Sequence, residues 1–156
     1  MSRKNGFTLI EILVVIGIIG LLAAVAIPQM LRSRMNANEL GAIAALRTAN
    51  NACQGYYNVI TPHTYPADLA TLADTFPPYI DHVLANAVDI NHTKQGYYFT
   101  YTLGATGESF TIIAWPSTFG RTGARNFFVN ELGAIYYNSQ NGLAPVPGAE
   151  GTFVAQ

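Results

Sequence analysis

From Phe7 to Ile27 the chain runs for 21 residues with polar side chains only at Thr8 and Glu11. As an α-helix this stretch is about 31 Å long, close to the hydrocarbon thickness of a bilayer. Arg3 and Lys4 stand just before it. The positive-inside rule then keeps the N-terminus cytoplasmic and exports the rest of the chain. The chain has no second run of this kind, so the expected topology is single-pass.

Three fates are open to such a segment. It can be a signal peptide, removed after export; the small-x-small triplet Ala24-Val25-Ala26 would suit that cut. It can be a passive anchor. It can also be a helix that sits first in the membrane and later in a protein assembly. Glu11 separates these. A charge at the centre of a spanning helix costs about 2.5–3.5 kcal/mol on insertion scales, and an intramembrane acid calls for a partner. Its place near the start of the span, at the positive end of the helix dipole, softens the cost. No basic residue lies between Lys4 and Arg32, so the helix has no counter-ion of its own at that depth. The partner is expected from another molecule, and a free α-amino group released by a cut just before the apolar run would serve.

The residues at that point read Lys4-Asn5-Gly6-Phe7-Thr8-Leu9-Ile10-Glu11. This stretch resembles the processing signal of type IV pilins and type II secretion pseudopilins: a short basic leader ending in Gly, then Phe, Thr, Leu, a hydrophobic residue and Glu. The resemblance implies that prepilin peptidase cuts between Gly6 and Phe7 and that the new amino group of Phe7 is methylated. Only the leader, residues 1–6 with Arg3 and Lys4, is lost, and the apolar helix is kept. It further implies a homo-oligomeric helical filament drawn from the inner membrane by an assembly platform. In that filament Glu11 of an incoming subunit pairs with the Phe7 amine of a neighbour and sets the axial register.

Helical character continues past the span. Leu31 to Tyr57 contains no proline, and Ile43, Leu46, Cys53 and Tyr57 fall on one face. Arg32, Arg34, Glu39 and Arg47 supply polar positions. A helix from Phe7 to about Tyr57 is about 75 Å long, longer than a bilayer or a small domain. Its first half, residues 7–30, is expected to be the membrane and filament-core part, and residues 31–58 the amphipathic part packed on a head. Pro28 interrupts the ladder, with Gly17 and Gly20 upstream, and predicts a kink or local melting between Gly20 and Pro28.

The head, residues 59–156, is expected to open with a loop over residues 61–66 and a short helix from Ala67 to Ala73. Pro77-Pro78 ends that helix, and helical spacing returns at Ile80, Val83, Leu84 and Ala87. Strands are expected at Gly96–Leu103, Ser109–Trp115, Asn126–Asn130 and Ala134–Asn138, with a turn at residues 104–107. Residues 142–151 carry three Gly and two Pro and predict an irregular segment. The fold class expected is therefore α+β and pilin-like: one long N-terminal helix packed on a small antiparallel sheet of three or four strands.

Composition excludes several functions. Half the residues are hydrophobic and 11% are charged, which is incompatible with disorder. A net charge of -1 leaves no electrostatic footprint for nucleic acid. The single cysteine, Cys53, forbids an intrachain disulfide and is expected to be a buried thiol on the apolar helix face. His63, His82 and His92 lack metal-ligand spacing, so no metal and no cofactor is expected. Neither a nucleophile elbow nor a phosphate loop is present, and enzymatic activity is not expected. The triplet Asn91-His92-Thr93, with Asp89 upstream, is a possible glycosylation acceptor. Clustered aromatics at Tyr56-Tyr57, Tyr97-Tyr98-Phe99, Phe127-Phe128 and Tyr136-Tyr137 read chiefly as core. The first expectation is a pilus-type filament subunit in the inner membrane with its head outside. A type II secretion pseudopilin is the alternative of the same class, and a monomeric membrane-anchored binding domain the alternative of another.

Overall fold

A computed structural model of the chain describes residues 7–149 and 152–155. It divides into two compact units, Met1–Arg34 and Met35–Gln156. One helix, α1 (Leu9–Val59), contributes to both.

In the first unit α1 makes no tertiary core. Every residue from Leu9 to Arg34 is exposed except the half-exposed Ala23. An 18-residue window of the helix has a mean hydropathy of 2.9, and none of that window is buried. Water is a poor solvent for such a surface, at about 25 cal/mol per Å² of apolar area. This half of α1 therefore requires lipid or other protein around it. The helix is continuous through Gly20 and Pro28. The melting expected there is not a feature of the single subunit: the surrounding turns tolerate the one hydrogen bond that proline removes.

The second unit is built on the rest of α1. Ala42, Ile43, Leu46, Ala49 and Cys53 recur at helical spacing and are buried. Two short helices come next. The first, α2 (Leu69–Ala73), starts two residues later than expected, because Asp68 is its N-cap and not a first-turn residue. Asp68 Oδ1 accepts from Thr71 N at 2.8 Å and from Thr71 Oγ1 at 2.7 Å. The second, α3 (His82–Ala85), is capped in the same way by Asp81, which accepts from Leu84 N at 2.6 Å.

The sheet is an antiparallel meander in the order β1 (Tyr97–Leu103), β2 (Phe110–Pro116), β3 (Asn126–Asn130), β4 (Tyr136–Asn138) and β5 (Phe153–Val154). Strand β2 alternates as expected, with Phe110, Ile112 and Ala114 buried. The strand count corrects the expectation of three or four: Phe153 pairs with Tyr137 and Val154 with Tyr136 beyond the glycine-rich segment. Two residues are too short to show strand alternation in a sequence. Gly133 turns β3 into β4 at φ 78, a left-handed conformation that side chains disfavour.

The core gathers Leu46 of α1, Leu69 and Leu72 of α2, Leu84 of α3, and Tyr97, Phe99, Phe110, Ile112, Phe127 and Val129 of the sheet. Polar side chains of α1 tie loops to it. Glu39, expected as a polar surface position, is 3% exposed. It accepts from Ala124 N at 2.8 Å and from Arg125 Nε at 2.7 Å, and forms an ion pair through Arg125 Nη2. Asn50 Nδ2 donates to Asn130 O at 2.8 Å, and Gln54 Nε2 to Glu131 O at 2.9 Å. Asn130 O also accepts from Gly133 N at 2.9 Å, so these bonds tie α1 to the turn between β3 and β4.

Candidate assembly site at the head of the apolar helix

Phe7 is 84% exposed and stands two residues before the first residue of α1. Thr8, between them, occupies the N-cap position. Its carbonyl accepts from Ile12 N at 3.4 Å, the first bond of the helical ladder. Thr8 N donates to Glu11 Oε2 at 2.8 Å, and Thr8 Oγ1 donates to the same oxygen at 2.7 Å. Glu11 N donates back to Thr8 Oγ1 at 3.4 Å. This is a capping box: a Thr and a Glu three residues apart satisfy each other's orphan backbone donors. Sequence reasoning missed Thr8 as a site residue, although Thr-x-x-Glu before an apolar run is a legible signature.

The box holds the Glu11 carboxylate against the backbone one residue beyond Phe7. Oε2 takes both Thr8 donors; among the described residues, Oε1 accepts no hydrogen bond. A carboxylate so placed, at the positive end of the helix dipole, can still accept from an ammonium on its second oxygen. Gly6, Arg3 and Lys4 lie outside the described residues. Gly17 and Gly20 have open space around them, with nothing within 4 Å of an added Cβ. No contact among the described residues explains their lack of a side chain.

The other singled-out residues do not join this site. Asn91 is exposed at a tight turn closed by Asp89, whose Oδ1 accepts from Asn91 N at 2.7 Å and His92 N at 2.9 Å. His82 and His92 face one open cavity, of about 390 Å³, while His63 Nδ1 lies 2.9 Å from Tyr57 O. No group of three potential metal-ligating side chains gathers among the described residues. Cys53 is buried, and burial pushes its thiol up to about 12.

A family model described as the prokaryotic N-terminal methylation motif matches residues 1–27. A second, described as a protein of unknown function (DUF2950), matches residues 68–142. The type II secretion system core protein G of Escherichia coli is 28% identical over 117 residues, covering 72% of this chain and 73% of that protein. The type IV wide pilus major component of Thermus thermophilus is 42% identical over 72 residues, 46% of this chain and 53% of its own length. A type IV major pilin of Neisseria gonorrhoeae is 38% identical over 91 residues, 56% of this chain. The chain spans 53% and 42% of the lengths of these two pilins. No solved structure matches. The methylation motif, these relatives, the exposed apolar helix and the antiparallel sheet agree: the chain is similar to type IV pilins and type II secretion pseudopilins and carries their N-terminal methylation motif.

Proposed function

We propose that the chain is a prepilin-like structural subunit, cut between Gly6 and Phe7 and methylated on the Phe7 amine. The mature subunit waits in the inner membrane with its head outside and is polymerised into a type IV pilus-like filament. The reading rests above all on a wholly exposed apolar helix that carries a carboxylate at its start. An exposed helix of that kind needs lipid before assembly and neighbouring helices after it. Because lipid is as apolar as leucine, packing and charge register select the assembled state more than hydrophobicity does. Glu11, oriented by Thr8, offers its second oxygen to the Phe7 amine of a neighbour, so two costly charges compensate each other away from water. The open space at Gly17 and Gly20 lets neighbouring stems approach closely. Loosening between Gly20 and Pro28 belongs, on this reading, to the assembled state.

One observation favours the pseudopilin alternative. The match to the Escherichia coli secretion protein runs over 117 residues, against 91 and 72 for the two pilins, so it takes in more of the chain. Filament length and location distinguish the two forms.

Intact-mass and N-terminal analysis of the membrane and sheared-filament fractions tests the proposal. It predicts a chain beginning at methylated Phe7. A Met1 start, or a cut after Ala26, refutes it. Glu11→Ala is expected to insert in the membrane and accumulate there without filaments; normal assembly of that variant would sink the charge-pair mechanism.

A further inference from the structure

The head carries an aromatic knob and an apolar groove at opposite edges of its sheet. The knob is Phe76, 100% exposed in the segment between α2 and α3. It is not a loose tip. Thr75 Oγ1 donates to Leu72 O at 3.1 Å and approaches Pro77 O at 3.1 Å, and Tyr79 N donates to Leu72 O at 2.9 Å. The backbone on both sides of Phe76 is thus tied to the end of α2. The chain just before α2 and just after α3 borders β1: Phe99 N donates to Ala87 O at 2.7 Å, and Tyr101 Oη to Pro66 O at 2.6 Å.

The groove lies at the other edge. Leu40, Ile43, Tyr137, Phe153 and Val154 line an open cavity of about 470 Å³, with Arg125 at its side. Leu40 is 66% exposed, and Phe153 and Val154 are each 58% exposed. Exposed apolar side chains gathered in one concave place are the kind of surface an interaction site presents. Strands β1 and β5 are the two ends of a five-stranded sheet, about 19 Å apart at the usual strand spacing. Phe76 is fully exposed and is not among the residues that line the groove, so the subunit does not fill its own groove.

We infer that Phe76 of one subunit seats in the Leu40–Tyr137–Phe153–Val154 groove of a second copy of this chain. The charges agree with that occupant. Asp74, exposed two residues from the knob, meets Arg125, whose side chain is 37% exposed. Glu39 takes Nε and Nη2 of Arg125, which leaves the Nη1 edge of the guanidinium to donate outward. Knob and groove are different patches, so the contact is head-to-tail. Such contacts do not close into dimers; they propagate into rings or helices. One aromatic anchor buries less than a stable free dimer needs. Stems already held in one filament raise the effective concentration of heads enough for a weak contact to form.

The inference rests on the filament reading, and the test keeps the two apart. Full-length chain carrying both Phe76→Cys and Phe153→Cys is assembled, its filaments are imaged, and they are then oxidised and run on a non-reducing gel. Native Cys53 is buried and stays out of the reaction. The expected result is a ladder of dimers, trimers and higher species from the double variant. Each single variant, and the pair Phe76→Cys with Leu132→Cys, should remain monomeric. Phe76→Ala, truncated at a fully exposed position, should lower the temperature at which filaments dissociate and leave the melting of the head unchanged. Normal filaments with no ladder, or an unshifted dissociation temperature for Phe76→Ala, overturn the inference and leave the filament reading standing. Failure of the unsubstituted chain to form any filament overturns both.

Discussion

Glu39→Ala removes a carboxylate whose side chain is 4% exposed and which holds three donors: Ala124 N, Arg125 Nε and Arg125 Nη2. Deleting one member of a buried pair typically costs about 3–5 kcal/mol, because the other charge is left desolvated. Arg125 is 37% exposed, so water recovers part of that cost. It also keeps its stacking on Tyr137 and Phe127, with the guanidinium carbon 5.1 Å and 5.7 Å from the ring centroids. The orphaned Ala124 N–H adds about 1–3 kcal/mol if water cannot reach it. The expected net loss is about 3 kcal/mol, or a melting point lower by about 10 °C for a unit of this size. Glu39→Gln keeps an acceptor for Ala124 N and should lose about half as much. The assay is denaturant and thermal unfolding of the full chain in detergent, followed through the single tryptophan, Trp115. Adding Arg125→Ala to Glu39→Ala should cost little more, giving a coupling energy of about 2 kcal/mol in the cycle. A Glu39→Ala chain within about 0.5 kcal/mol of the parent, which is the range of ordinary surface changes, would refute the reasoning.

Other outcomes rest on the same kind of accounting. Asn126 Nδ2 donates to Gln140 O at 2.7 Å and Leu143 O at 3.0 Å, so Asn126→Asp would set a carboxylate against two carbonyl oxygens. It should destabilise the head by about 2–4 kcal/mol at neutral pH and by less below about pH 4, where a protonated acid can donate again; urea melts at both pH values check this. The Asp81 carboxyl is held below the usual carboxylate range, first by the Lys94 ammonium at 2.6 Å and then by the Leu84 amide, and Thr71 does the same for Asp68. A depressed carboxylate contributes stability above its unfolded value of about 3.9 that fades as pH falls through the lower folded value. Acid melts should therefore lose stability below about pH 4, and the Asp81→Asn chain should lose less. With its thiol pushed up to about 12 and no exposed surface, Cys53 should resist maleimide at pH 8 in the folded chain and react fully in denaturant. Rapid native labelling would contradict the packing of α1.

The apolar run, its basic leader, the Glu11 carboxylate and the positions of β1 to β4 were all decided by local chemistry. Length and apolar composition set a helix long enough to cross a membrane, a charge in an apolar run demands a partner, and alternation marks β2; none of these needs a distant residue. The capping box was equally local, four residues long, and could have been found there. What only the tertiary structure decided is where polar groups go when the chain folds back. Glu39 looks like a solvated helix position until Arg125, 86 residues away, is brought against it. Asn126 and the carbonyls of Gln140 and Leu143 meet only because β3 and β4 pair. Strand β5 exists because β4 offers it an open edge, not because its two residues insist on being extended. Such choices depend on which partner arrives, since a half-buried donor or acceptor is satisfied by geometry rather than by composition. Periodicity along a chain reports which face is apolar. It carries no record of which loop closes over that face.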